Sequence, residues 1–232
     1  MEEKYTDGDE TLKEKLKKKY DKNIQKGAKF GKEILEWIFC FIVAYVIYLN
    51  INFFIGTISG VKQVSMIPTA KENDRVLIQS STIFKRELKH GDIITFEAPV
   101  SKASPEDYNK DNLIAEYNNY TGINKFLYSF VGIGKLTYIK RVIGLPGDHI
   151  VVTDKGELYR NDEKLQEDYL NDGVTNISGV YCDVIVPENT VFVMGDNRLQ
   201  SKDSRYFGCI PESRISGYIV TRVWPLNKIG KL

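Results

Sequence analysis

Cysteine and histidine are both scarce in this chain. Among 232 residues there are three cysteines, Cys40, Cys182 and Cys209, and two histidines, His90 and His149. Three cysteines cannot build a disulfide scaffold, and none stands in a CxxC spacing. Two histidines with scattered cysteines do not supply the three or four ligands of a zinc site. No glycine-rich phosphate loop occurs, so neither a metal nor a nucleotide cofactor is implied. Excess charge is missing too. The chain has 32 basic and 31 acidic side chains, and from residue 58 onward the counts are 22 and 22. A dedicated nucleic-acid binder draws its affinity from positive excess against phosphate, so nucleic acid is not an expected partner. A hydrophobic share of 42% excludes a wholly disordered chain, and 27% charged residues exclude a polytopic membrane protein.

The N-terminal third carries the location signal. Residues 13–32 hold nine lysines against Glu14 and Asp21. Ile38–Ile55 then runs 18 residues without a charge, against the roughly 20 apolar residues that cross a hydrocarbon core as helix. Trp37 at one end and Tyr45, Tyr48, Phe53 and Phe54 toward the other suit interfacial positions. The expected layout is a Lys-rich cytoplasmic tail at 1–33, one transmembrane anchor at 34–57 and an extracytoplasmic domain at 58–232. The lysines precede the span, which places the N-terminus in the cytoplasm by the positive-inside rule. A buried soluble helix is the structural alternative. With the anchor in place, Cys182 and Cys209 would lie in an oxidising compartment, where they could pair.

From residue 58 the chain reads as mainly β. Short runs of strand-forming residues recur between turn signals: Arg75–Gln79, Asp92–Phe96, Tyr138–Ile143, His149–Thr153, Val184–Val186, Thr190–Met194 and Tyr218–Val223. Leu145-Pro146-Gly147-Asp148 suits a type II turn, since Pro fixes φ and Gly accepts φ > 0. The expectation is an antiparallel, barrel-like β domain with irregular insertions at 100–136 and 154–189. The first includes a possible helix at Pro105–Tyr117 and an aromatic stretch with Phe126, Leu127, Tyr128 and Phe130.

Neither histidine has the setting of a triad base: His90 precedes a Gly-Asp turn and His149 follows one. That leaves a serine or cysteine nucleophile with another base. Three segments stand out: Val64-Ser65-Met66-Ile67-Pro68-Thr69; Tyr138-Ile139-Lys140-Arg141-Val142-Ile143-Gly144; and Gly195-Asp196-Asn197-Arg198-Leu199-Gln200-Ser201-Lys202-Asp203-Ser204-Arg205. On a strand, adjacent side chains face opposite ways, so one of Lys140 and Arg141 should enter a cleft or an apolar face.

In this order the segments resemble the serine, lysine and late boxes of the bacterial type I signal peptidases, membrane-anchored serine proteases of protein export. The short Gly91-Asp92-Ile93 run is similar to a further family box. The resemblance implies Ser65 as nucleophile and Lys140 as general base, with Ser201 orienting Lys140 and Asp203 and Arg205 as support. It implies an oxyanion donor at the Ser65 backbone N–H. Gln63 stands where some relatives carry a hydroxyl, and its amide is the candidate second donor. Met66, Tyr138 and Ile139 match positions that line the pocket for the small residue before the cut. Leu199 departs from the family's common Asp. The implied partners are signal peptides of secretory preproteins and the lipid bilayer of the plasma membrane. Two other readings are a catalytically silent tethered scaffold and a Ser/Lys autoprotease of the repressor-cleaving type. Intact Ser65 and Lys140 disfavour the first, and the anchor disfavours the second.

Overall fold

A computed structural model describes residues 7–54, 56–81, 86–102, 104–107, 109, 111–123, 136–170 and 179–232. The aromatic stretch Phe126–Phe130 lies outside the described residues. The chain divides into two compact units, Met1–Asn52 and Phe53–Leu232.

The described part of the first unit is helical, belonging to α1 (Asp7–Phe54), which is 48 residues long and ends two residues into the second unit. Its apolar side chains from Trp37 to Tyr48, including Phe39, Phe41 and Ile47, stand exposed. Among the described residues, no helix is long and apolar enough to cross a membrane. The expected span ends in Leu49 and 51–55, whose side chains lie outside the description.

The second unit is built of antiparallel strands: β1 (Thr57–Gly60), β2 (Arg75–Ser80), β3 (Ile93–Glu97), β4 (Thr137–Gly144), β5 (His149–Val152), β6 (Leu158–Arg160), β7 (Glu163–Lys164), β8 (Asp183–Ile185), β9 (Thr190–Met194), β10 (Ile210–Pro211) and β11 (Ile215–Trp224). They form a seven-stranded sheet ordered β1-β2-β11-β3-β4-β9-β10 and a four-stranded sheet ordered β7-β6-β5-β8. Closure into a barrel is not part of the described pairing. Gly147 takes φ 86° at the β4–β5 turn, and Asp148 N donates to Leu145 O at 3.0 Å. That is the hydrogen-bonded, positive-φ geometry of a type II turn.

The helix expected at Pro105–Tyr117 is replaced by a single 3-10 turn at Pro105–Asp107. Asn109 Oδ1 accepts from Asp111 N, and Asn112 Oδ1 accepts from Ile114 N. Such side-chain turns compete with the helical ladder for backbone donors. Ile114 instead bridges to Cys209, and Ala115 N donates to Cys209 O.

Two apolar clusters fix the framework. The larger includes Phe96, Val142, Ile150, Phe192, Val193 and Phe207, joining the two sheets. The smaller holds Val61, Met66, Ala70, Val76 and Ile93, with Ile78 and Ile139 against it. It anchors the loop between β1 and β2, which carries Ser65. Cys209 is buried and Cys182 half-buried in the larger cluster, and both are free thiols. Burial pushes the Cys209 thiol up to about 12, far from a reactive thiolate.

Candidate active site

Three chain segments converge at strand β4 of the seven-stranded sheet. The β1–β2 loop makes a 3-10 turn at Val64–Met66, closed by Ile67 N donating to Val64 O. Met66 is buried in the smaller cluster, so the neighbouring Ser65 is held by packing as well as by backbone. Strand β4 pairs with β3 so that Lys140 lies opposite Ile94 and Arg141 opposite Ile93. On its other side β4 pairs with β9, Arg141 facing Met194. The chain leaving β9 therefore delivers Gly195, Asp196 and Asn197 beside the middle of β4.

Lys140 Nζ lies 2.6 Å from Ser65 Oγ. Both residues are buried, Lys140 at 2% and Ser65 at 6% exposure. The amine also sits 5.4 Å from the Tyr138 ring centroid. Burial lowers the Lys140 pKa from 10.5 to about 8, against the pull of the Asp203 and Asp196 carboxylates. Desolvation wins because the ammonium has lost its water and no carboxylate touches it directly. At neutral pH about a tenth of such lysines are uncharged, against less than one in a thousand for a free side chain.

Arg141 points the other way. Its Nε and Nη2 hold the two oxygens of Asp196 at 2.8 and 2.7 Å, and its Nη1 donates to Gly91 O. Thr69 Oγ1 donates to the same carboxylate. Asn197 N donates to Ser65 O at 3.0 Å, and its Nδ2 donates to Val64 O at 3.2 Å. Asn197 thus grips the peptide on both sides of Ser65, a role invisible without knowing that β4 and β9 are neighbours.

A cavity of about 280 Å³ opens beside Ser65, lined by Gln63, Met66, Ile78, Thr95 and Ile139 among others. Its volume and mostly apolar walls suit small side chains.

Compared with known proteins, the chain matches the family described as "Signal peptidase, peptidase S26" over residues 34–224. The chain belongs to this family. Signal peptidase IB of Staphylococcus aureus (strain COL) is 32% identical to it over 212 residues, spanning 85% of this chain and 93% of that protein. The probable signal peptidase I-2 of a Synechocystis strain is 28% identical over 191 residues, 82% of this chain and 73% of that one. A solved signal peptidase I from Enterococcus faecalis V583 is 27% identical with a TM-score of 0.37, covering 58% of this chain and 98% of its own. This S26 chain is a serine endopeptidase, a hydrolase.

The remaining motif residues of the S26 chain fall into two groups. Asp203 and Arg205 form a fully buried ion pair, Arg205 Nε to Asp203 Oδ1 at 2.8 Å. Burial alone would raise the Asp203 pKa. The Arg205 charge and the hydrogen bonds from Arg205 and Gly195 N outweigh it and hold the carboxyl below its ordinary value. Asp203 also caps the short helix α2 (Ser204–Phe207) through Arg205 N. Ser201 differs from expectation: no hydrogen bond joins its buried Oγ to Lys140 among the described residues, and its hydroxyl lies instead on the side of the Asp203 carboxylate, which it helps to hold ionised. Tyr138 also differs. It does not line the cavity but packs on Phe96 and Phe207 at 6.2 and 6.5 Å, because alternation along β4 turns it away from Ile139. The histidines bond elsewhere, His90 to Asp148 and His149 to Asp183, each at 2.7 Å.

Proposed function

We propose that this protein removes signal peptides from exported preproteins, with Ser65 as nucleophile and Lys140 as general base. The observation that carries the reading is the buried 2.6 Å contact between Lys140 Nζ and Ser65 Oγ. A serine hydroxyl needs a base before it can attack a peptide carbonyl, and a desolvated amine of pKa about 8 is matched to that task near neutrality. The neutral amine accepts the Ser65 proton as Oγ bonds to the carbonyl carbon. Negative charge develops on the carbonyl oxygen, opposite the Ser65 backbone N–H, with the Gln63 amide as the candidate second donor. Collapse breaks the C–N bond, and Lys140 returns the proton to the leaving amine. Lys140 then takes a proton from water as its oxygen bonds to the acyl carbon, and returns it to Ser65 Oγ as the acyl C–O bond breaks and frees the new carboxyl terminus.

The cavity beside Ser65 takes the small side chain before the cut. Asp203 and Arg205 brace the late box, and Ser201 is the residue that orients Lys140. The run Ile38–Ile55 anchors the chain once in the plasma membrane, with residues 1–33 cytoplasmic and the catalytic unit outside. What supports the anchor is the uncharged run, its exposed apolar side chains and the lysines that precede it.

The test is processing of a preprotein embedded in vesicles by the full chain. Ser65→Ala, Lys140→Ala and Lys140→Arg each lose about a thousandfold or more in rate, while His90→Ala and His149→Ala keep most activity. Guanidinium stays protonated, so Lys140→Arg separates a base from a mere cation. Near-normal turnover in Lys140→Ala would sink the dyad.

A further inference from the structure

Two buried guanidinium groups flank the turn that grips Ser65, and both are met by side chains from one short segment. Glu167 and Tyr169 follow β7, an edge strand of the four-stranded sheet. Glu167 accepts from both terminal nitrogens of Arg198, one of them at 2.9 Å. The side chains of this pair are almost closed to solvent. The ring of Tyr169 lies 4.1 Å from the Arg141 guanidinium, and its hydroxyl donates to Glu167 Oε1 at 2.6 Å. Burial, with the Glu167 charge beside it, pushes the phenol upward, so the hydroxyl remains a donor. Arg198 Nε in turn donates to Gly195 O at 3.0 Å, and Arg141 clasps Asp196. The contacts therefore enter the Gly195–Asn197 turn from two sides and leave it through Asn197, into the carbonyls of Ser65 and Val64.

We propose that Glu167 and Tyr169 are positioning residues for Ser65, acting through Arg198 and Arg141 on the turn that fixes the Ser65 peptide. The inference rests on the reading of Ser65 as nucleophile. Neither side chain touches the reacting atoms. Their effect is to hold two charges where Gly195 and Asp196 need them. Removing the Glu167 charge takes from the buried Arg198 the carboxylate that holds both its terminal nitrogens, and a shift of the Arg198 side chain moves the loop that its Nε bonds at Gly195. That movement carries Asn197, and with it the orientation of the Ser65 peptide against Lys140. Misplacement of a reacting group by about 1 Å can cost on the order of a hundredfold in rate. Glu167 and Tyr169 thus give the stretch after β7 a purpose: it ties the smaller sheet to the late box.

The test compares full-chain wild type, Glu167→Gln, Tyr169→Phe and the double variant, using kcat and KM for an embedded preprotein and thermal unfolding. Tyr169→Phe keeps the ring against Arg141 and loses only the hydroxyl, so it decides the matter if Glu167→Gln fails to fold. Expected are a fall in kcat of about tenfold or more for Glu167→Gln and a several-fold fall for Tyr169→Phe, with KM within about twofold of wild type. The double variant falls short of the product of the two, because the hydroxyl acts through Glu167. Wild-type kcat in a folded Tyr169→Phe, or losses confined to KM, overturn the proposal. Ser65→Ala is measured alongside: turnover surviving there overturns the nucleophile reading as well, whereas a dead Ser65→Ala beside an unaffected Tyr169→Phe overturns the positioning role alone.

Discussion

Lys140 carries two consequences of one fact, its burial. Its folded pKa of about 8 lies below the ordinary 10.5. The activity profile should therefore rise with pH and level off above about 8, as the amine loses its proton. Stability follows the same titration. Below pH 8 the folded and unfolded chains both hold the proton. Between 8 and 10.5 only the unfolded chain holds it, so stability increases with pH across that window. The increment is about 3 kcal/mol at 1.36 kcal/mol per pKa unit. Lys140→Met should be inactive and should lack this increment. Denaturant unfolding of wild type and variant at pH 7 and pH 10 measures it as a difference of differences, free of other titrating groups. Parallel behaviour of the two proteins would mean that the amine is not desolvated as described.

At the scale of elements, the late box is a turn shaped by its smallest residue. A Cβ on Gly195 would come within 2.3 Å of Ser201 Oγ and 2.4 Å of Ser65 O. No side chain fits there without displacing the loop or the Ser65 peptide. Gly195→Ala should keep the fold and lower kcat by about a hundredfold, checked by processing rate beside near-ultraviolet circular dichroism. A wild-type rate would mean that the Ser65 peptide tolerates displacement. This crowding was not legible in the sequence, although the motif was. Ser65 and Lys140 could be singled out because their residue types and flanking boxes carry the resemblance. Asn197 and the Arg141–Asp196 clasp could not, since they depend on the β4–β9 register. Runs of β-branched and aromatic residues with turn residues around them were readable, as at Thr190–Met194, which is buried along its whole length. β1, β6, β7 and β10 were not: β7 and β10 hold two residues each, β6 and β1 mix Arg, or Ser and Gly, into their short runs, whereas the equally short β8 shows through its Val184–Val186 run. The Pro105–Tyr117 stretch misled because apolar spacing there outweighed the asparagines that claim its backbone.

For the whole molecule, the chain divides into two compact units at residue 52, and the proposed reading gives location to the first and chemistry to the second. The second unit contains both apolar clusters and every residue of the proposed site, so peptide hydrolysis should survive without the first. On the proposed reading, the first unit contributes an address. A signal peptide lies with its apolar core in the bilayer, and its cleavage site emerges at the outer surface. An enzyme held at that surface meets its substrate at the effective concentration of a tethered pair, which can raise apparent affinity by about a hundredfold or more with no new contact. Residues 53–232 alone should therefore cleave a short soluble peptide at a rate close to that of the full chain. On a preprotein embedded in vesicles they should lose about a hundredfold in kcat/KM, with the deficit in KM rather than kcat. Adding an unrelated single-span anchor to residues 53–232 should restore the rate. A full rate on embedded substrate without any anchor would show that the catalytic unit finds the membrane by itself, and residues 1–52 would then need a different explanation.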